Sequence, residues 1–339
     1  MPSLLRLPFE LRELIIQQVV QGCHAPPAPS KSNRADFQDI KYRAWLDGPG
    51  GIYHERRSTH CPSNSLPLLL TCRQLSAETQ SFLDRTGSTY ILDISVLDEV
   101  DLLPTWLAVP RITNRVSTLR VNVRLFGHII STEAARQQSG TGGHLGFHWS
   151  FYALLERFLQ YGPVDEKKRP SQGNGPLAAN PNFDDRDVTV KTLVLDFQSA
   201  EPKFPFPPDE VSYRRWRSQH FVMRRSRWHG ELEEYKTPPQ WPSTYLFFQI
   251  HALLSMGYHT ALYGKILYER IGKIYLLVDG KPEREIDLAD RLNKLRFTDR
   301  RDTFGHLPPE ERLSTFAEWK KQTLARREQL GFPVIWPQD

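Results

Sequence analysis

Val116-Ser-Thr-Leu-Arg-Val-Asn-Val-Arg-Leu-Phe126 alternates apolar and polar residues from Leu119 onward. That is the period of a strand that buries one face and leaves the other half-solvated. Two later runs share its character, Val188-Thr-Val-Lys-Thr-Leu-Val-Leu-Asp-Phe197 and Lys273-Ile-Tyr-Leu-Leu-Val-Asp279. A helical run precedes each of them, His148–Tyr161 and Ser243–Met256. Strand, helix, strand, helix, strand is the order of a parallel sheet with crossover helices. Comparable points in the three strands, Leu119, Leu193 and Ile274, lie 74 and 81 residues apart. Those spacings far exceed a leucine-rich repeat. The expected fold is therefore mixed α/β (α+β), an irregular, largely parallel β/α region with long insertions.

Upstream, Thr89–Ile94 is rich in strand formers, and Leu97–Val109 reads as a helical stretch around Pro104 and Trp106. Farther back, Leu66–Leu83 reads as one helix with Leu68, Cys72, Leu75, Thr79 and Phe82 on a single face. The first twenty residues hold another amphipathic helix, with Leu11, Leu14, Ile15 and Val19 as its apolar stripe. Pro8 sits near its start and Glu10 near the positive end of its dipole. Between these helices, residues 22–65 are rich in Pro, Gly and Ser and carry little periodicity, so a loop or partly disordered insertion is expected. Residues 162–187 and 200–211 read as connections of low order. Pro309–Arg327 reads as a charged terminal helix with Leu313, Phe316, Ala317 and Leu324 facing inward. The expected organisation is a helical region at 1–95, an α/β region at 96–300, and a C-terminal helix and tail at 301–339, joined in one composite domain.

Composition narrows the function classes. The chain has 339 residues, 39% hydrophobic and 24% charged, with a mean hydropathy of −0.50. No apolar run approaches the ~18 residues that span a bilayer. Arg6, Glu10 and Arg12 interrupt the opening residues, unlike a secretory signal. Three cysteines suit a reducing compartment, so an intracellular location, cytoplasmic or nuclear, is expected.

The net charge of +5 lies mainly beyond residue 200. Its densest stretch is Arg214–His229, where Arg214, Arg215, Arg217, Arg224, Arg225 and Arg227 interleave with Trp216, Phe221 and Trp228. Guanidinium forks beside aromatic faces suit an anion or single-stranded nucleic acid. Residues 201–240 nevertheless balance eight basic against six acidic side chains, a compensated field that argues against a polyanionic partner.

Leu5-Arg-Leu-Pro-Phe-Glu-Leu-Arg-Glu-Leu-Ile15, followed later by Leu68-Leu-Leu-Thr-Cys-Arg-Gln-Leu-Ser-Ala-Glu78, resembles the F-box-like N-terminus common in proteins of filamentous fungi. Those proteins open with a Leu-Pro-x-Glu-Leu-Arg helix and continue with a Cys-Arg-Gln helix ending near a strand. The resemblance covers residues 4 to about 95. It implies an apolar surface that docks on the adaptor subunit of a cullin-type ubiquitin ligase, with the rest of the chain capturing a protein substrate. Carried onto this sequence, the docking positions are Leu7, Pro8, Leu11 and Ile15 on the first helix, and Cys72 and Leu75 on the second. Spaced apolar anchors of this kind fit a helix-in-groove contact. An F-box is compact, and the 22–65 insertion departs from that pattern.

Local catalytic signatures are missing. Cys23-His24 and His60-Cys61 bracket the insertion, but adjacent ligands converge poorly on one zinc ion. His144 and His148 are spaced i, i+4 in a glycine-rich stretch that reads as a helix entrance. Gly140–Gly146 fails the dinucleotide fingerprint, because its third glycine position falls on Leu145. Asp184-Asp-Arg-Asp187 reads as a solvated turn. No G-x-S-x-G, P-loop or H-E-x-x-H occurs. The expectation is a non-enzymatic protein-interaction module without metal or cofactor. The alternatives are an enzyme or small-molecule binder whose pocket follows the parallel strands, and nucleic-acid binding through Arg214–His229.

Overall fold

A computed structural model describes residues 4–27, 37–39, 52–55, 63–99, 101–127, 147–163, 186–200, 204–213, 235–258 and 260–336. The chain is of the mixed α/β class. Its centre is a six-stranded sheet formed by β3 (Thr89–Leu97), β4 (Asp101–Ala108), β5 (Arg115–Phe126), β6 (Thr189–Ser199), β7 (Ile271–Val278) and β8 (Lys281–Asp287), in the order β4-β3-β5-β6-β7-β8. The four central strands are mutually parallel, and each edge strand is antiparallel to its neighbour. Leu119, Leu193 and Ile274, the points matched by sequence pattern, are direct register partners across β5, β6 and β7.

Alternation decides which face is the core. Leu92 and Ile94 of β3, Leu119, Val121 and Val123 of β5, Leu193, Leu195 and Phe197 of β6, and Ile274 and Leu276 of β7 point to one side and are buried. They pack into one cluster with α4 (Phe147–Tyr161), α5 (Gln240–Leu253), α6 (Ala261–Arg270), α7 (Leu288–Lys294) and α8 (Pro309–Gln329). Gly264 lets α6 approach α5 closely, since a Cβ there would lie 2.3 Å from the Leu253 carbonyl oxygen. The opposite face is polar and tied by ion pairs between neighbouring strands. Arg124 of β5 grips Asp93 of β3 with both oxygens, at 2.6 and 2.7 Å. Asp196 of β6 accepts from Arg120, Gln198 and the Gly280 amide, each at 2.9 Å.

Three sequence expectations need correction. Leu97–Val109 is not helical. Asp98 and Glu99 take positive φ (51° and 57°) and reverse the chain, so residues 101–108 return as β4 against β3. Pro104 has no N–H to donate, a lack that an edge strand tolerates and a helix interior does not. The helix expected over Leu66–Leu83 is two, α2 (Leu66–Thr71) and α3 (Arg73–Arg85), broken where Cys72 is fully extended at φ −159°, ψ 164°. In α8, Phe316 and Leu324 face inward as expected. Leu313 is 58% exposed and Ala317 is also exposed, while Trp319, Thr323 and Arg327 take the inner positions.

Residues 22–65 are more than a loop where they are described. The segment holds β1 (Phe37–Asp39) antiparallel to β2 (Tyr53–Glu55), and the preceding Ile52 is buried in the main core, bridged to Leu102. Both roots of the insertion bond the outer edge of β4. The His24 amide donates to the Leu107 carbonyl at 2.9 Å, and the Asn64 amide to that of Val109 at 2.7 Å. The described parts of the insertion thus satisfy backbone groups along a sheet edge that would otherwise lack partners there.

Candidate partner-docking surface

The first twenty residues form a 3-10 turn, Leu4–Arg6, and then α1 (Phe9–Val20). Pro8 occupies the N-cap, where its missing N–H costs nothing, and Glu10 lies in the first turn, where a carboxylate is favoured by the helix dipole. Three residues at i, i+4 and i+8 turn inward from α1: Arg12, Ile16 and Val20. Ile16 and Val20 meet Phe82 and Leu83 of α3 in a small core of their own, with Leu68 of α2 packed against it.

Arg12 sets the rotation of α1. Its side chain lies only 10% exposed against a Glu78 side chain 13% exposed, with Nε to Oε2 at 2.9 Å and Nη2 to Oε1 at 2.6 Å. It also donates to the Leu7 carbonyl. Two parallel charge-assisted bonds fix orientation as well as distance. The hydrogen bonds from Arg12 hold the Glu78 carboxyl below the usual range, and Glu78 in turn raises the Arg12 pKa.

With a charged pair on its inner face, α1 presents its apolar stripe to solvent. Leu11 is 47% exposed, Leu14 55%, Ile15 37% and Val19 39%. Leu66 and Leu70 of α2 are exposed as well, Leu70 at 76%. A helix that served only to fold would point these side chains inward. Grouped exposed apolar residues of this kind mark interaction sites.

Of the positions carried over from the F-box-like pattern, Leu11 and Ile15 lie on this exposed stripe. Pro8 is exposed at its start, and Leu7 and Cys72 are half-buried. Leu75 is a correction: at 3% exposure it is buried and offers nothing to a partner. Sequence reasoning had put Leu14 and Val19 in the stripe but not in the site. It did not single out the exposed Leu66 and Leu70 of α2, which nothing in the local pattern of that short helix marks as outward.

On its other flank α1 meets α3 along a groove of about 380 Å³ lined by Glu10, Glu13, Leu14, Gln17, Gln21, Phe82 and Thr86. Phe82 supplies a buried apolar floor. Glu13 is paired with Arg85 at the end of α3, whose side chain is 57% exposed.

The remaining candidates fall elsewhere. Cys23 and His24 are exposed, and His60 and Cys61 lie outside the described residues. Among the described residues no three His, Cys, Asp or Glu side chains cluster to hold a metal. His148 is buried in the first turn of α4 with Nδ1 3.1 Å from the Tyr245 hydroxyl, tying α4 to α5. Asp187 pairs with Arg326 and Arg270. His144, Gly140–Gly146, Asp184 and all six arginines from Arg214 to Arg227 lie outside the described residues.

Among the described residues no helix is long and apolar enough to cross a membrane. In comparisons with known proteins, no family model matches the chain, and neither a curated protein nor a solved structure matches it.

Proposed function

We propose that this chain is a non-enzymatic interaction protein that docks through the outer face of α1 on the adaptor subunit of a cullin-type ubiquitin ligase and uses its α/β region to hold a protein substrate. The observation that carries the reading is the stripe Leu11, Leu14, Ile15 and Val19, held in solvent by an inward Arg12–Glu78 pair. Supporting it is the order of a Leu-Pro-x-Glu-Leu-Arg helix before a Cys-Arg-Gln helix, the pattern that resembles F-box-like proteins.

The physical logic is differential burial. The main core is complete without these side chains, and the small α1–α3 core is closed by Ile16, Val20, Phe82 and Leu83. Covering the stripe with a partner helix would bury apolar surface at about 25 cal/mol per Å² without disturbing either core. Affinity purification of the tagged full-length chain from its source cell tests this. Recovery of a ligase adaptor that is lost on Leu11→Asp is expected. Failure to recover any adaptor, or recovery unchanged by Leu11→Asp, refutes the reading.

A further inference from the structure

We propose that the groove between α1 and α3 takes a lysine or arginine side chain from the adaptor helix that docks on α1; this rests on the adaptor reading above and names the chemistry of the contact. The groove adjoins the exposed stripe through Leu14, which belongs to both. A helix lying on Leu11, Leu14 and Ile15 therefore has side chains within reach of the groove. Its lining is amphipathic in a particular way. Phe82 and Leu14 offer apolar surface, Gln17 and Gln21 offer amides, and Glu10 and Glu13 supply two carboxylates one helical turn apart.

That combination fits a long cationic side chain, which lays its aliphatic stem on apolar surface and carries its charge to the rim. An acidic occupant would meet carboxylates of its own sign, and a purely apolar one would strip water from them without replacing its hydrogen bonds. The chain already shows a version of the contact. Arg85 reaches across from α3 to Glu13, with its side chain 57% exposed and so free to be displaced. A partner cation would take over Glu13 from Arg85 and share Glu10.

This competition gives two variants with opposite signs. Purified adaptor subunit is titrated into the full-length protein at low and at raised salt. Glu10→Gln removes one carboxylate and is expected to weaken binding by about three- to tenfold, with a shallower salt dependence than wild type. Arg85→Ala removes the internal competitor and is expected to tighten binding by about two- to threefold. Far-UV circular dichroism confirms that both variants keep their helices, and Arg85→Ala, on an exposed site, carries the test even if Glu10→Gln loosens the start of α1. If Leu11→Asp abolishes binding while Glu10→Gln and Arg85→Ala leave it unchanged, the docking reading stands and the cation groove is overturned. Weaker binding by Arg85→Ala also overturns it, because that arginine would then face an acidic partner directly. Absence of adaptor binding by the wild-type protein overturns both.

Discussion

The N-terminal helices and the central sheet solve the placement of charge in opposite ways. In the sheet, the apolar residues of β3, β5, β6 and β7 face a large shared core while charged residues occupy the other face, where Arg124 meets Asp93 and Arg120 meets Asp196. In the N-terminal region a charged pair, Arg12 with Glu78, sits between the helices, and leucines face solvent. The sheet follows the ordinary demand of folding, which is to remove apolar surface from water. The helices depart from it, and what departs from the folding demand is where a functional explanation is needed.

The sharpest way to break this contrast is to treat the two regions alike. Leu195 is fully buried in the middle of β6, so Leu195→Ala should cost about 3 to 4 kcal/mol through lost transfer energy and a cavity. Chemical denaturation measures it directly. A loss below about 1 kcal/mol would mean that the sheet core is not the main source of stability.

Next in size is the Arg12–Glu78 pair. Glu78→Ala would leave the Arg12 guanidinium with one backbone acceptor, and should destabilise the chain by less than Leu195→Ala does. Because α1 loses its orienting contact, the proposed docking on an adaptor should weaken with it. The pair also sets a pH dependence. The folded-state pKa of Glu78 lies below its ordinary value, chiefly through hydrogen bonding to Arg12. Its stabilisation is therefore fully present above the ordinary glutamate range near pH 4.3 and lost as pH falls through the depressed value. His306, lowered first by burial and then by Lys265, acts in the same direction from near pH 6.5 downward, because the unfolded chain takes up its proton more readily. Denaturation midpoints should drop on acidification in wild type, and the portion below about pH 4.5 should flatten in Glu78→Gln. An identical acid profile in both proteins would remove Glu78 from the account.

How much of this was legible in the sequence varies with the physics at each place. The parallel strands were readable because alternation over Val116–Phe126 and its two counterparts is enforced by a real core face, and their matched residues turned out to be neighbours. The edge strands were not. β4 carries Pro104 and a tryptophan and lacks alternation, because its pairing is imposed by the left-handed turn at Asp98 and Glu99. β8 carries five charged residues in seven, yet its signal was present. Asp279-Gly280, with φ of 49° and 76°, is the dipeptide that closes a tight hairpin, and it follows the β7 run directly.

The candidate site was half legible. The stripe on α1 could be read from its spacing, but its direction could not, since Leu11/Leu14/Ile15 and Arg12/Ile16/Val20 are both regular. Only the distant Glu78 decides which side turns inward. The same dependence on a tertiary partner misled the reading of Leu75. Taken as part of a partner-facing set with Cys72, it instead belongs with Thr79 and Phe82 on the buried side of α3.

The smallest expected effect is the most informative. If the stripe serves a partner and not the fold, the Leu11→Gln/Leu14→Gln double variant should unfold within about 1.5 kcal/mol of wild type in denaturant, since both side chains are already about half in water. A loss of about 4 kcal/mol or more, the size expected for emptying two core positions, would show that these leucines hold the molecule together and would contradict the account.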